Sequence, residues 1–158
     1  MTAIVTTLLW FSAIGSGLLA GVYFAFSAFI MGSLGRIGPA GFTAMNAINI
    51  DIVRSPFMPL FLATTLSAAA LAVLGILRWG ESGAVLTMAG GFVYVLGMFA
   101  VTMIFNVPLN NALAAADPAS AEAAATWTRY LRDWTSWNHV RTAACTAAAA
   151  LFIAAIAA

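Results

Sequence analysis

Four stretches of this chain, at about 4–31, 56–77, 84–105 and 137–158, run with almost no charged side chains. The hydrocarbon core of a bilayer takes about 20 residues of helix to cross, and each stretch is that long. No other feature restricts the fold as strongly. The rest of the composition agrees: 63% of residues are hydrophobic and 7% charged, with mean hydropathy +1.01. A soluble domain carries about 25% charged residues, so this chain could not cover a globule with polar surface. The expected fold is all-α, an integral membrane four-helix bundle forming a single transmembrane domain over 1–158. Net charge is +1, which leaves no basic surface for nucleic acid. The lone Cys145 cannot form an internal disulfide. The first stretch lacks a basic leader and exceeds the roughly 7–15 residues of a signal-peptide core, so it reads as a retained span.

The connections differ in character. Residues 39–54 are too polar to span, but Met45, Ile48 and Ile52 recur at helical spacing, predicting a short interfacial helix in the first connection. Pro56 and Pro59 fall in the first turn of the second span, where proline is tolerated. Asp117-Pro118 signals a helix start in the third connection. That helix should reach about Trp134, with Trp127, Leu131 and Trp134 on one face, and either lie on the bilayer or continue into the fourth span. Arginine placement orients the bundle. The first and third connections hold Arg36, Arg54, Arg129 and Arg132, with Arg141 just inside the same side, while the second holds only Arg78. The two long connections are therefore expected in the cytoplasm and both termini outside, in a multi-pass inner-membrane protein. Gly17-x-x-x-Gly21, Gly90, Gly91, Gly97 and the alanines at 143, 144, 147 and 148 suit close helix packing, within the bundle or in a homo-oligomer.

Polar residues collect at the ends of the third and fourth spans. The third ends in Asn106-Val-Pro-Leu-Asn110-Asn111. Pro108 removes a backbone donor and should end the helix there, with the asparagines either capping it or aiming amides into an interhelical cavity. Asn46 and Asn49 share a face in the first connection, either solvated or turned toward those asparagines. Arg141 lies one turn into an apolar helix, a costly place for a cation. It must snorkel among Trp134 and Trp137 as an interfacial anchor, or find acceptors and a ligand oxygen. Asn138 at i−3 shares its face, and Asp51 and Asp133 are the candidate acids. His139, the one histidine, can exchange protons near neutral pH. It sits about 100° from Asn138 and 200° from Arg141 around the helix, so Asn138 with Arg141 is the coherent pair. One His, one Cys and five scattered acids do not form a metal-ligand set, and no metal or other cofactor is expected within one chain.

Four ordered motifs, Tyr23-Phe-Ala-Phe-Ser27, Met45-Asn-Ala-Ile-Asn49, Phe105-Asn-Val-Pro-Leu-Asn110 and Trp134-x-x-Trp-Asn-His-x-Arg141, resemble the bacterial branch of the anthrone-oxygenase-like membrane family. The resemblance extends from about Leu18 to Leu151. It implies a small four-span protein, and its fungal members oxidise anthrones to anthraquinones with O2 without an obvious cofactor. In the fungal pattern the Asn-x-x-Arg element matches Asn138 and Arg141, whereas the position of His139 is not dependably His. The chemistry so implied needs an apolar slot for a flat ring, a base, and donors for an oxyanion. Tyr23, Phe24 and Phe26 are the expected walls, with Trp134 and Trp137 also at the substrate. His139 is the expected base. Arg141, Asn138, Asn106 and Asn110 are the expected donors, with Asn46 and Asn49 nearby. The expected function is a cofactor-independent oxygenase acting on a lipophilic anthrone-, phenol- or quinol-like molecule and O2 within the bilayer. The alternatives are a non-enzymatic binding or transport protein for such a ligand, and a structural membrane subunit.

Overall fold

A computed structural model describes residues 2–118 and 120–158. Its described residues are helical and contain no strand. We number the helices α1 (Ala3–Arg36), α2 (Pro39–Arg54), α3 (Phe57–Leu77), α4 (Ala84–Ala115) and α5 (Ala123–Ala157). All but α2 are long and apolar enough to cross a membrane, and the chain is a multi-pass membrane protein.

Helix length sets the architecture. The 34, 32 and 35 residues of α1, α4 and α5 make rods about 50 Å long, whereas the 21 residues of α3 reach about 30 Å. Three helices thus run past the end of α3 where it begins, at Phe57. The place that α3 leaves vacant is taken by α2, which packs against the far ends of α1 and α4. The fourth column of the bundle is therefore built from two helices with a joint between them. Pro56 causes the joint by forcing the residue before it out of helical geometry. Ser55 is extended (φ −90°, ψ 169°), and its hydroxyl donates to the Ile52 carbonyl and accepts from the Phe57 N–H. At the other end of α2, Gly38 takes a positive φ of 57°, so α1 turns straight into Pro39.

Three expectations about helix ends change. The first helix runs on from the expected limit at residue 31 to Arg36. The third does not stop at Pro108 but reaches Ala115. A wide turn over Thr102–Asn106, in which the Val107 N–H bonds the Thr102 carbonyl, accommodates the ring that would otherwise collide with the preceding turn. Asp117-Pro118 does not start the next helix. The Ser120 N–H bonds the Asp117 carbonyl, because Asp-Pro initiates a turn as readily as a helix, and α5 begins at Ala123. From there it runs unbroken through the fourth span, so the connection helix continues into the membrane rather than lying on it.

Two cores divide the bundle. One, in the membrane-spanning half, contains Leu9, Leu19, Leu71, Tyr94, Met98 and Phe152. The other, in the half capped by α2, contains Met31, Phe42, Met45, Leu113, Trp127, Tyr130 and Trp134. Glycines close the first: a Cβ on Gly91 would lie 2.5 Å from the Ala68 carbonyl oxygen, so α3 and α4 touch backbone to backbone. Gly17 and Gly21 do not serve this bundle, since a Cβ on either meets nothing within 4 Å. Ala144 and Ala148 are buried, while Ala143 and Ala147 face outward.

Candidate functional site

Between the two cores, beside the joint of α2 and α3, lies a cavity of about 450 Å³. Its apolar walls come from every helix: Phe26 of α1, Met45 and Ile48 of α2, Phe57 and Phe61 of α3, Phe99 and Met103 of α4, and Trp134 of α5. Its polar groups are few: Tyr23, Asn49, Thr102, Asn110 and Arg141. Wide helical turns occur at this level, over Phe26–Ile30 in α1 and over Val95–Ala100 and Thr102–Asn106 in α4. Each inserts a residue into the helical repeat, and Phe26, Phe99 and Thr102, which line the hollow, lie within them.

Arg141 is the dominant charge. It is 5% exposed, lies inside the bundle, and does not snorkel. In α5 the buried residues Trp127, Tyr130, Trp134, Asn138, Arg141, Cys145 and Ala148 recur at steps of three and four, so Asn138 and Arg141 share the inward stripe. The guanidinium carbon sits 4.3 Å from the centre of the Tyr23 ring and 4.9 Å from that of Trp134. Two π-systems thus favour the cation. One Nη donates to Asn138 Oδ1 at 2.7 Å. The Asn138 amide nitrogen in turn donates to the Tyr23 carbonyl and to Ser27 Oγ, both at 2.7 Å. Asn138 is fully used and lies behind Arg141 rather than in the hollow; it braces the cation against α1.

Among the described residues no carboxylate pairs with Arg141, and its Nε has no hydrogen-bond partner. Asp133 engages Arg129 and Arg132 instead, and Asp51 is exposed. A buried charge left unpaired costs several kcal/mol. Rings and one amide offset only part of that, so the arrangement has room for an anionic oxygen.

The remaining expected residues divide. Asn106 is buried and donates to the Trp134 carbonyl at 3.2 Å, tying α4 to α5. Asn46 donates to the Leu113 carbonyl at 3.4 Å and is absent from the cavity wall. Trp137 stacks on Phe105, with ring centres 3.6 Å apart, on the outer seam of α4 and α5. Phe24 is 61% exposed and points outward, one position from the inward Tyr23, so it forms no wall. His139 is likewise exposed; one residue past Asn138, it is turned off the buried stripe and does not reach the cavity. No carboxylate or imidazole lines the hollow, and among the described residues no three His, Cys, Asp or Glu side chains cluster to hold a metal.

Sequence reasoning passed over Phe57, Phe61, Phe99, Thr102 and Tyr130. The i,i+4 pair Phe57 and Phe61, directly after Pro56, was the available signal for the α3 wall. Tyr130, three residues after Trp127 and four before Trp134, was detectable as part of the α5 stripe.

A sequence model of the anthrone oxygenase family matches residues 50–151, a segment that includes the joint, most of the cavity wall and Arg141. The chain belongs to the anthrone oxygenase family. No curated protein and no solved structure matches it.

Proposed function

We propose that this anthrone oxygenase family member is a membrane-embedded oxygenase that binds a lipophilic aromatic ketone or phenol in the cavity and holds it as an oxyanion against Arg141. The single observation that carries this reading is a buried guanidinium, without a carboxylate among the described residues, facing a largely apolar hollow of about 450 Å³. Such a cation makes a ligand O–H, or the C–H opposite a ketone, more acidic by stabilising the anion left behind. The ligand would reach it from the bilayer, since the rim residues Val53, Leu62 and Met103 are exposed and apolar.

The reaction balances with O2 as oxidant. The bound enolate passes an electron to O2, and the two radicals join as a peroxide at the carbanionic carbon. That carbon then loses its second proton while the O–O bond breaks, giving a new C=O and water. Carbon is oxidised by four electrons and dioxygen is reduced by four. The first proton leaves to water and returns to the departing oxygen, so no net proton is produced. The arginine count supports a cytoplasmic location for the cavity end.

The test is oxygen uptake and quinone absorbance with a hydroxyanthrone, on protein in lipid nanodiscs. Arg141→Met should reduce turnover by about 100-fold or more. It should leave thermal stability equal or higher, because an uncompensated buried charge is removed. Unchanged turnover in that variant would overturn the oxyanion role. A second reading, a carrier of lipophilic anions, is favoured by a cavity wall that, among the described residues, holds no carboxylate or imidazole. It predicts Arg141-dependent ligand binding without oxygen uptake.

A further inference from the structure

A second compartment of about 550 Å³ adjoins the first. It is lined by Asn46, Arg54 and Asn111, and shares Asn49, Val53, Val107 and Asn110 with the apolar cavity. The shared wall is where apolar lining gives way to polar. Tyr130 stands behind this wall: its hydroxyl donates to Asn110 Oδ1 at 2.8 Å and accepts from Asn49 Nδ2 at 3.3 Å. The ring of Tyr130 is 1% exposed and is stacked between Trp127 and Trp134, so the hydroxyl is held in place by packing.

A phenol hydroxyl has one hydrogen to give. When it bridges two primary amides, donating to one and accepting from the other, those amides must be turned opposite ways. Asn110 is left with its NH2 free and Asn49 with its carbonyl oxygen free, so the shared wall offers one donor and one acceptor side by side. The geometry points to Tyr130 as a positioning residue that sets this donor–acceptor edge, and through it the preference of the cavity for a ligand with a hydroxyl beside a carbonyl. This rests on the reading of the cavity as an aromatic-ligand site. Arg141 would draw the charge of the ligand; the Tyr130-fixed edge would decide which substituents accompany it. Without the hydroxyl both amides rotate freely, and the wall presents either polarity.

The experiment compares two coloured, non-reacting probes on the full chain in nanodiscs. One is a dihydroxyanthraquinone with both hydroxyls beside one carbonyl; the other is unsubstituted anthraquinone. The unaltered protein should bind the first about tenfold more tightly, the worth of one well-placed buried hydrogen bond. Tyr130→Phe should bring that ratio close to one by weakening the dihydroxy probe. Asn110→Asp, which keeps the shape but removes the donor, should do the same and guards against a folding defect in the first variant. A ratio that survives either substitution overturns the proposal. Equal loss of both probes in Tyr130→Phe also overturns it, since that marks a purely structural side chain. If the unaltered protein binds both probes equally, the edge selects nothing and the proposal fails while the Arg141 reading stands. If it binds neither, the cavity reading falls and the Tyr130 role with it.

Discussion

The two halves of the bundle are held together by different forces, although α1, α4 and α5 run through both. In the spanning half glycines bring helices close at several points: Gly75 against Met88, Gly91 against Ala68 and Ala72, Gly97 against Ala144. A hydrogen bond of 2.8 Å joins Ser12 to Ser67. Lipid is as apolar as leucine, so burying large side chains gains little there, and close backbone approach with van der Waals contact takes over. In the capped half the contacts are large rings: Phe42 lies 6.0 Å from Trp127, and Trp127, Tyr130 and Trp134 stack in series along α5. Such rings bury large areas and interact with one another as well. The cavity lies at the change-over, where neither glycine nor tryptophan closes the space.

This contrast can be broken from either side. Truncation should hurt the capped half most. Trp127→Ala should cost about 3–5 kcal/mol, seen as lost amide-exchange protection in α2 and the first third of α5 while α3 stays protected. Uniform loss along all helices would mean that the halves are not separate packing units. Enlargement should hurt the spanning half. Gly91→Val forces α3 away from α4 and should cost about 1–3 kcal/mol in a detergent-unfolding titration. The same change at the open Gly17 should fall within about 0.5 kcal/mol. Comparable losses at both positions would show that α1 has a partner the isolated chain lacks.

The smallest effect belongs outside both halves. Arg78 and Glu81 form an ion pair in the turn between α3 and α4. The hydrogen bond from Arg78 holds the Glu81 carboxyl below its ordinary 4.5. A depressed acid stabilises the fold above its unfolded value and loses that contribution as pH falls through its folded one. Melting should therefore drop slightly below about pH 4.5, and Glu81→Gln should flatten only that acid limb. Since the pair is exposed, a large drop would place the acid sensitivity elsewhere.

Much of this was legible because hydropathy reports length well. The four spans, the short α2 with Met45, Ile48 and Ile52 turned to one side, and the pairing of Asn138 with Arg141 all follow from spacing. Part of what was hidden lies in the helical phase. The wide turns at Phe26–Ile30, Val95–Ala100 and Thr102–Asn106 shift the helical phase by a residue, and a 3.6-residue repeat carries no mark of them. Phe24 was expected as a wall together with Phe26 but points outward, and Pro108 was read as a stop although the widened turn before it lets α4 continue. The role of Tyr130 was hidden for another reason: its partners Asn49 and Asn110 lie elsewhere in the sequence, and the docking of α2 and the packing of α4 on α5 bring them to it.

The joint at Ser55-Pro56 separates two tasks that a continuous fourth rod would fuse. Moving the break by one helical turn, about 5.4 Å along the axis, would lengthen or shorten the chamber from one wall alone. The guanidinium and its asparagine brace both stand on α5, held against α1, and would feel none of it. Relatives could thus come to hold guests of different length by sliding a proline, with the charged end of the chamber left as it was.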